Sequence, residues 1–176
     1  MTRECPSCAA PVEEGVVVCR DCGGALPVFA PGSVLASRYE LRGVLGEGGL
    51  GVVYRAFDRE RGEEVALKVL QTDQPASAEA ARRFRAEIEQ ARRVSPPNVC
   101  PILDCGEEGP RAYLSMEILP GEDLRQTLEK NLHGLPEGEA LSAISQIASG
   151  LQAIHEVGIL HGDLKTAHAI RDGHGV

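Results

Sequence analysis

Tryptophan is absent from this sequence, and three Tyr and three Phe bring aromatics to only 3% of 176 residues. A chain so poor in flat rings has little with which to stack successive bases, so single-stranded nucleic acid is excluded as its main ligand. Positive charge is also short: 18 Lys and Arg stand against 26 Asp and Glu, a formal net charge of -8. Without a basic block the sequence lacks the footprint of a phosphate-backbone binder, and no nucleic-acid partner is expected. No run approaches the roughly 18 to 20 continuous apolar residues that span a bilayer. The N-terminal MTRECPSC has none of the apolar stretch of a signal peptide. These two absences lead to the expectation of no membrane partner and a cytoplasmic location. In a reducing compartment, six cysteines are expected to be metal ligands or buried thiols rather than disulfides. What is there is an ordinary globular composition, 43% apolar and 25% charged, long enough for one domain and a small module.

Four cysteines crowd the first 22 residues, as Cys5-Pro-Ser-Cys8, then ten residues, then Cys19-Arg-Asp-Cys22-Gly. Two Cys-x-x-Cys knuckles supply four thiolates, which Zn2+ takes in a closed tetrahedral site at about 2.3 Å. Cys5, Cys8, Cys19 and Cys22 are therefore assigned to one structural Zn2+, with the intervening VVV run read as a strand and Gly23 as a turn residue. The segment resembles a zinc ribbon; the alternative is a tail of redox-active thiols. So small a segment has little core of its own, and metal is expected to supply its folding energy. Residues 25–37 carry Gly, Pro and Ser without sustained periodicity and read as a linker. The expected organisation is thus a ribbon over 1–24, a linker, and a larger region over 38–176. Cys100 and Cys105 lie outside any paired knuckle and read as buried thiols.

The larger region opens with YELRGVLGEGGLGVVYRAF, two strand-like runs joined by a turn that contains Gly46, Gly48 and Gly51. Glycines here permit a tight turn and let backbone N–H groups approach phosphate oxygens with no Cβ in the way. A dinucleotide fold would need a helix after the glycines, whereas VVYRAFD continues as a strand and RGEEVALKVL supplies a third. In VALKVL, Lys68 stands among apolar neighbours, and a buried ammonium needs a partner. The following window places Phe84, Glu87, Ile88 and Ala91 on one helical face, so Glu87 is expected to turn inward and pair with Lys68. Singly, such a Lys and Glu would more often be solvated edge charges.

GEGGLGVV, VALK, Glu87, MEILPGEDL and HGDLK occur in the order found in protein kinases. From about Arg38 onward the chain resembles the bacterial, eukaryotic-like Ser/Thr protein kinases. The resemblance implies an α+β fold: an antiparallel five-stranded small lobe with one helix, followed by the helical start of a large lobe. It implies that Gly46, Gly48 and Gly51 roof the phosphates of ATP, that Val53 and Ala66 cover the adenine, and that Lys68 meets the phosphates while paired to Glu87. Met116 would be the gatekeeper, Glu117 and Leu119 would hold the adenine edge through backbone groups, Asp123 could reach the ribose, and Ile170 would line the floor. Asp163 corresponds to the base that accepts the substrate hydroxyl proton, and Lys165 to the residue that steadies the transferred phosphate. Residues 136–157 read as a helix with Pro136 and two Glu at its start, Gly158 at its end, and an apolar stripe of Ile144, Ile147, Ala148, Leu151 and Ile154.

The family loop His-Arg-Asp-Leu-Lys-x-x-Asn is written here as HGDLKTAH. Gly162 replaces the Arg that reads a phosphorylated activation loop, and His168 replaces the metal-binding Asn. Imidazole is a poor exchange for the oxygen ligands that Mg2+ prefers. No Asp-Phe-Gly follows within these 176 residues. The chain is therefore expected to be a truncated kinase domain that binds ATP with an incomplete Mg2+ site and is impaired or inactive in phosphorylating protein hydroxyls. The alternative is a non-catalytic pseudokinase and zinc-ribbon interaction module. An apolar patch left on the 136–157 helix is expected to meet a protein partner or to drive self-association.

Overall fold

The computed structural model describes residues 2–5, 8–13, 16, 19–24, 26–27, 29–48, 51–70, 92, 96–109, 111–131 and 133–172. They fall into two compact units, one built from residues 1–86 and 102–118, the other from 87–101 and 119–176.

The first unit begins with a small ribbon. Strands β1 (Thr2–Glu4) and β2 (Pro11–Glu13) pair antiparallel around the first cysteine knuckle. Cys5, Val12, Cys19 and Leu26 form its core. Two residues of the VVV run lie outside the described residues, and the third, Val16, is in no strand.

The rest of this unit is an antiparallel sheet of β3 (Val34–Leu35), β4 (Tyr39–Gly48), β5 (Gly51–Asp58), β6 (Glu63–Leu70), β7 (Ile102–Glu108) and β8 (Arg111–Met116), in the order β3-β4-β5-β6-β8-β7. The five long strands are those expected. The sixth, β3, comes from the segment read as a linker, and Leu35 is buried in the sheet core. Period-2 alternation sorts the side chains. Val52, Tyr54 and Ala56 of β5 and Val65, Leu67 and Val69 of β6 are sealed into one face, joined by Tyr39, Leu41 and Tyr113. Tyr39 and Tyr113 meet edge to face, with centroids 5.4 Å apart. One corner is pinned by charge: Arg38 donates to both carboxylate oxygens of the buried Asp58, at 2.7 and 2.6 Å, and to Asp104 at 2.6 Å. Asp58 Oδ1 also accepts from the backbone N–H groups of Glu60 and Arg61, closing the turn into β6. The window expected as the lobe's helix, including Phe84, Glu87, Ile88 and Ala91, lies outside the described residues.

The second unit holds α1 (Leu124–Lys130), α2 (Glu137–Glu156), a 3-10 turn (Thr166–His168) and the two-residue strands β9 (Glu122–Asp123) and β10 (Ile170–Arg171), which pair antiparallel. Helix α2 starts after Pro136 and ends before Gly158 at φ 79°, as its sequence signals require. Its buried face departs from expectation. Ala143 and Gly150 are the buried positions, Ile147 packs beside them, and Ile144 is 63% exposed. The reason is a close approach: a Cβ on Gly150 would lie 2.6 Å from the carbonyl oxygen of Asn98, so small residues are selected where the backbone comes near. Among the described residues, no helix is long and apolar enough to cross a membrane.

Candidate functional site

The sheet register lines up residues from four strands. Gly46 of β4 stands opposite Val53 of β5, Val53 opposite Lys68 of β6, and Lys68 opposite Leu114 of β8. The next row sets Arg55 opposite Ala66 and Ala66 opposite Met116. Directly opposed residues share a face, as do residues two apart along a strand. Val53, Ala66, Lys68 and Met116 therefore lie on one face, turned away from the packed core of Leu67 and Val69. Leu114, at the end of the lysine's row, was not foreseen, although the alternation of RAYLSM carries the signal.

The glycines divide by what constrains them. A Cβ on Gly46 would meet nothing within 4 Å, so packing does not explain its lack of a side chain. Gly51 differs: at φ 150° its Cβ would fall 2.2 Å from the Val69 carbonyl oxygen, so the fold itself requires glycine there. Gly48 pairs with Gly51 across the turn. Glu87, the expected partner of Lys68, lies outside the described residues. Met116 ends β8, with Glu117 exposed after it.

In the second unit, Leu119 is half-buried, and Asp123 and Ile170 are brought together as partners between β9 and β10. Asp123 has a structural role that its sequence position did not announce: its Oδ1 accepts from Gln126 N at 2.8 Å and caps α1. Gly121 lets this short ladder form, since a Cβ there would sit 2.1 Å from the Arg171 carbonyl oxygen. The HGDLKTAH loop closes on itself. Lys165 Nζ donates to Asp163 Oδ2 at 3.1 Å, and His168 Nδ1 lies 2.8 Å from the Asp163 carbonyl oxygen. The His161 and His168 rings are 5.7 Å apart. Gly162 adopts φ 71°, a left-handed conformation that side chains resist, which gives the substitution of Arg a backbone consequence. The loop thus holds a carboxylate and an ammonium side by side.

The four N-terminal thiols form the other cluster, with all sulfurs within 4.8 Å of one another. They pair across the knuckles, Cys5 with Cys22 and Cys8 with Cys19, each at 3.7 Å. A tetrahedron of thiolates about 2.3 Å from a central Zn2+ has edges of about 3.8 Å, so the donor set fits that metal. The two knuckles repeat the same backbone bonds: Ala9 N–H to Cys5 O and Gly23 N–H to Cys19 O, then Cys5 N–H to Ala10 O and Cys19 N–H to Gly24 O. Ala9 and Gly23 occupy equivalent left-handed positions, at φ 58° and 69°. Backbone N–H groups of Cys22 and Asp21 lower the Cys19 thiol to about 7. Working against backbone N–H groups, hydrogen bonds among the clustered thiols raise Cys8 to about 12 and Cys22 above its ordinary value. The cluster therefore favours a thiolate at Cys19 and keeps protons on those two.

Residues 39–175 match the protein kinase domain family model. The chain belongs to the Ser/Thr protein kinase family. It is similar to the serine/threonine-protein kinase pkn2 of Myxococcus xanthus, with 42% identity over 139 residues, covering 78% of this chain and 16% of that protein. PknA of Mycobacterium tuberculosis is 35% identical over 144 residues, covering 79% of this chain and 33% of that kinase. Among solved structures, the Mycobacterium tuberculosis PknI kinase domain superposes with a TM-score of 0.72 at 30% identity, over 81% of this chain and 58% of that one. The chain thus spans a third or less of the length of these two curated relatives.

Proposed function

We propose that this chain is a kinase-type ATP-binding protein whose chemistry is phosphoryl transfer to a Ser or Thr hydroxyl, weakened by the departures in its catalytic loop. The observation that carries the reading is the row Gly46, Val53 and Lys68, with Ala66 and Met116 on the same face. In this reading the turn containing Gly46, Gly48 and Gly51 receives phosphate oxygens, Lys68 neutralises them while paired to Glu87, and Val53 and Ala66 cover the base. Glu117, Leu119, Asp123 and Ile170 complete the nucleoside contacts. Asp163 accepts the hydroxyl proton and Lys165 offsets charge on the transferred group. Mg2+ would screen the triphosphate when bound. His168 offers imidazole where the family offers an oxygen, which weakens the hold on a hard cation and supports impairment.

Residues 1–24 act in the same reading as a zinc ribbon, with Cys5, Cys8, Cys19 and Cys22 holding one structural Zn2+, and 38–176 as the kinase portion. The test is a thermal-shift titration of zinc-loaded protein with ATP, with and without Mg2+, beside Lys68→Met. Saturable stabilisation lost in the variant is expected; equal stabilisation of both proteins would remove Lys68 from the site and sink the reading.

A second reading, a non-catalytic interaction module, is favoured by Leu141 and Ile144, which are 61% and 63% exposed on α2. Light scattering on the wild type and on Leu141→Gln/Ile144→Gln distinguishes it: self-association that the double variant abolishes supports the module, and a monomeric wild type counts against it.

A further inference from the structure

The connection between the ribbon core and the sheet core is short. Leu26 is fully buried in the ribbon core with Cys5, Val12 and Cys19. Three residues on, Phe29 is packed against the sheet core. Its ring meets Tyr54 edge-on, with centroids 6.1 Å apart at 71°, and its backbone N–H donates to Tyr54 Oη at 3.4 Å. The guanidinium of Arg111 on β8 lies 5.5 Å from the centroid of the same ring. The chain then stays on the sheet: Gly32 N–H donates to Leu41 O at 2.7 Å, Leu41 N–H donates to Ser33 O at 2.8 Å, and β3 pairs with β4. Three peptide steps reach at most about 11 Å, and Pro27 fixes one backbone angle among them, so the two cores are tied by a short strap.

We infer that metal loading of the cysteine module stabilises the kinase sheet through this strap, making the ribbon a metal-dependent brace on the core face of the sheet, opposite the face that carries Gly46, Val53 and Lys68. The inference rests on the proposal that the four thiolates bind Zn2+. A ribbon of this size depends on its metal to fold. With the metal bound, Leu26 is fixed, and Phe29 docks on Tyr54 with little left to order. Without it, the N-terminal end of the strap trails a disordered tail, and docking Phe29 must carry the full ordering cost. Coupling of this kind is reciprocal, so a docked Phe29 also tightens metal binding.

The sequence provides separate reporters. All three tyrosines, Tyr39, Tyr54 and Tyr113, lie in the sheet core, and there is no tryptophan, so tyrosine fluorescence follows the sheet alone. Thiolate-to-metal charge-transfer absorption of Co2+-substituted protein follows the ribbon alone. The experiment compares tyrosine-monitored melting of Co2+-loaded and metal-free full chain for the wild type, for Phe29→Ala, and for a variant with Gly-Gly-Ser-Gly inserted after Pro27, which slackens the strap without touching either core. Expected is a fall in the wild-type midpoint by about 5 °C or more on metal removal. That fall should shrink or vanish in both variants, while their Co2+ spectra persist with several-fold weaker affinity. A wild-type tyrosine melt indifferent to metal, with the Co2+ spectrum present, overturns the brace while leaving the metal site standing. A metal-dependent shift that survives the insertion overturns the strap as its route. No four-thiolate spectrum at all removes the metal site and the brace together.

Discussion

His168 Nδ1 lies 2.8 Å from the backbone carbonyl oxygen of Asp163. A carbonyl only accepts, so Nδ1 carries the proton, and in the neutral ring Nε2 keeps its lone pair. Nε2 stands 3.9 Å from Asp163 Oδ2, to which Lys165 already donates at 3.1 Å. The residue therefore ties the loop together while presenting nitrogen in place of oxygen. His168→Asn supplies an amide that can donate to the same carbonyl and an oxygen for a hard cation. Calorimetric titration should find Mg-ATP bound several-fold more tightly by this variant, with ATP alone little changed. An unaltered Mg2+ dependence would remove His168 from the cation question. His168→Ala should lose about 1 kcal/mol of stability with the hydrogen bond.

Gly46 and Gly51 differ in what the fold demands of them, so the proposed nucleotide contact can be tested apart from stability. Gly46→Ala places a methyl in open space, so its melting temperature should match the wild type while ATP-induced stabilisation falls. Gly51→Ala drives a Cβ toward the Val69 carbonyl oxygen and should destabilise the sheet without ligand by about 1–3 kcal/mol. Urea unfolding with and without ATP reads both; equal intrinsic losses in the two variants would contradict the assignment.

Arg38 holds the Asp58 carboxyl below its ordinary range through its hydrogen bonds, against the opposing effect of burial, with the N–H groups of Glu60 and Arg61 adding to the lowering. A carboxyl with a lowered folded-state pKa contributes stability that is complete above the unfolded value of about 3.9. That contribution drains away as pH falls through the depressed folded value. Asp58→Asn should flatten this acid-side slope in denaturation midpoints measured from pH 6 downward. Asp58→Ala should cost about 3 kcal/mol near neutral pH, because Arg38 keeps Asp104 but loses its two-pronged partner.

Ala9 stands at φ 58° where the second knuckle has Gly23. Ala9→Gly removes a Cβ from a left-handed position and should stabilise the metal-loaded ribbon by about 0.5–1 kcal/mol, visible as a smaller fraction of Co2+ surrendered to a competing chelator. Gly23→Ala should do the reverse.

Much of this molecule was legible because short-range chemistry wrote it. Cys5, Cys8, Cys19 and Cys22 are spaced for two knuckles, and the structure gathers their sulfurs. The 136–157 helix shows its own start and stop, since capping and chain termination are local events. The hairpin around Gly46 to Gly51 and the lysine strand follow from glycine placement and period-2 alternation. The same local patterns, in order, were enough to indicate the kinase family.

Other features depend on pieces of chain meeting across long separations, which no local pattern records. That Ala143 and Gly150 rather than Ile144 face inward was decided by Leu124 and Ala169 packing on Ala143 and by Asn98 approaching α2 at Gly150. That Asp58 is sealed with Arg38 and Asp104 required β5, β7 and the start of β4 to converge on one corner. The segment read as a linker became a strand and a strap because Tyr54, far along the sequence, offered Phe29 a ring and a hydroxyl. Sequence by itself determined which chemical groups this protein possesses and the local elements that carry them. Only tertiary packing decided which of those groups meet, because burial and close backbone approach depend on neighbours that the chain order does not name.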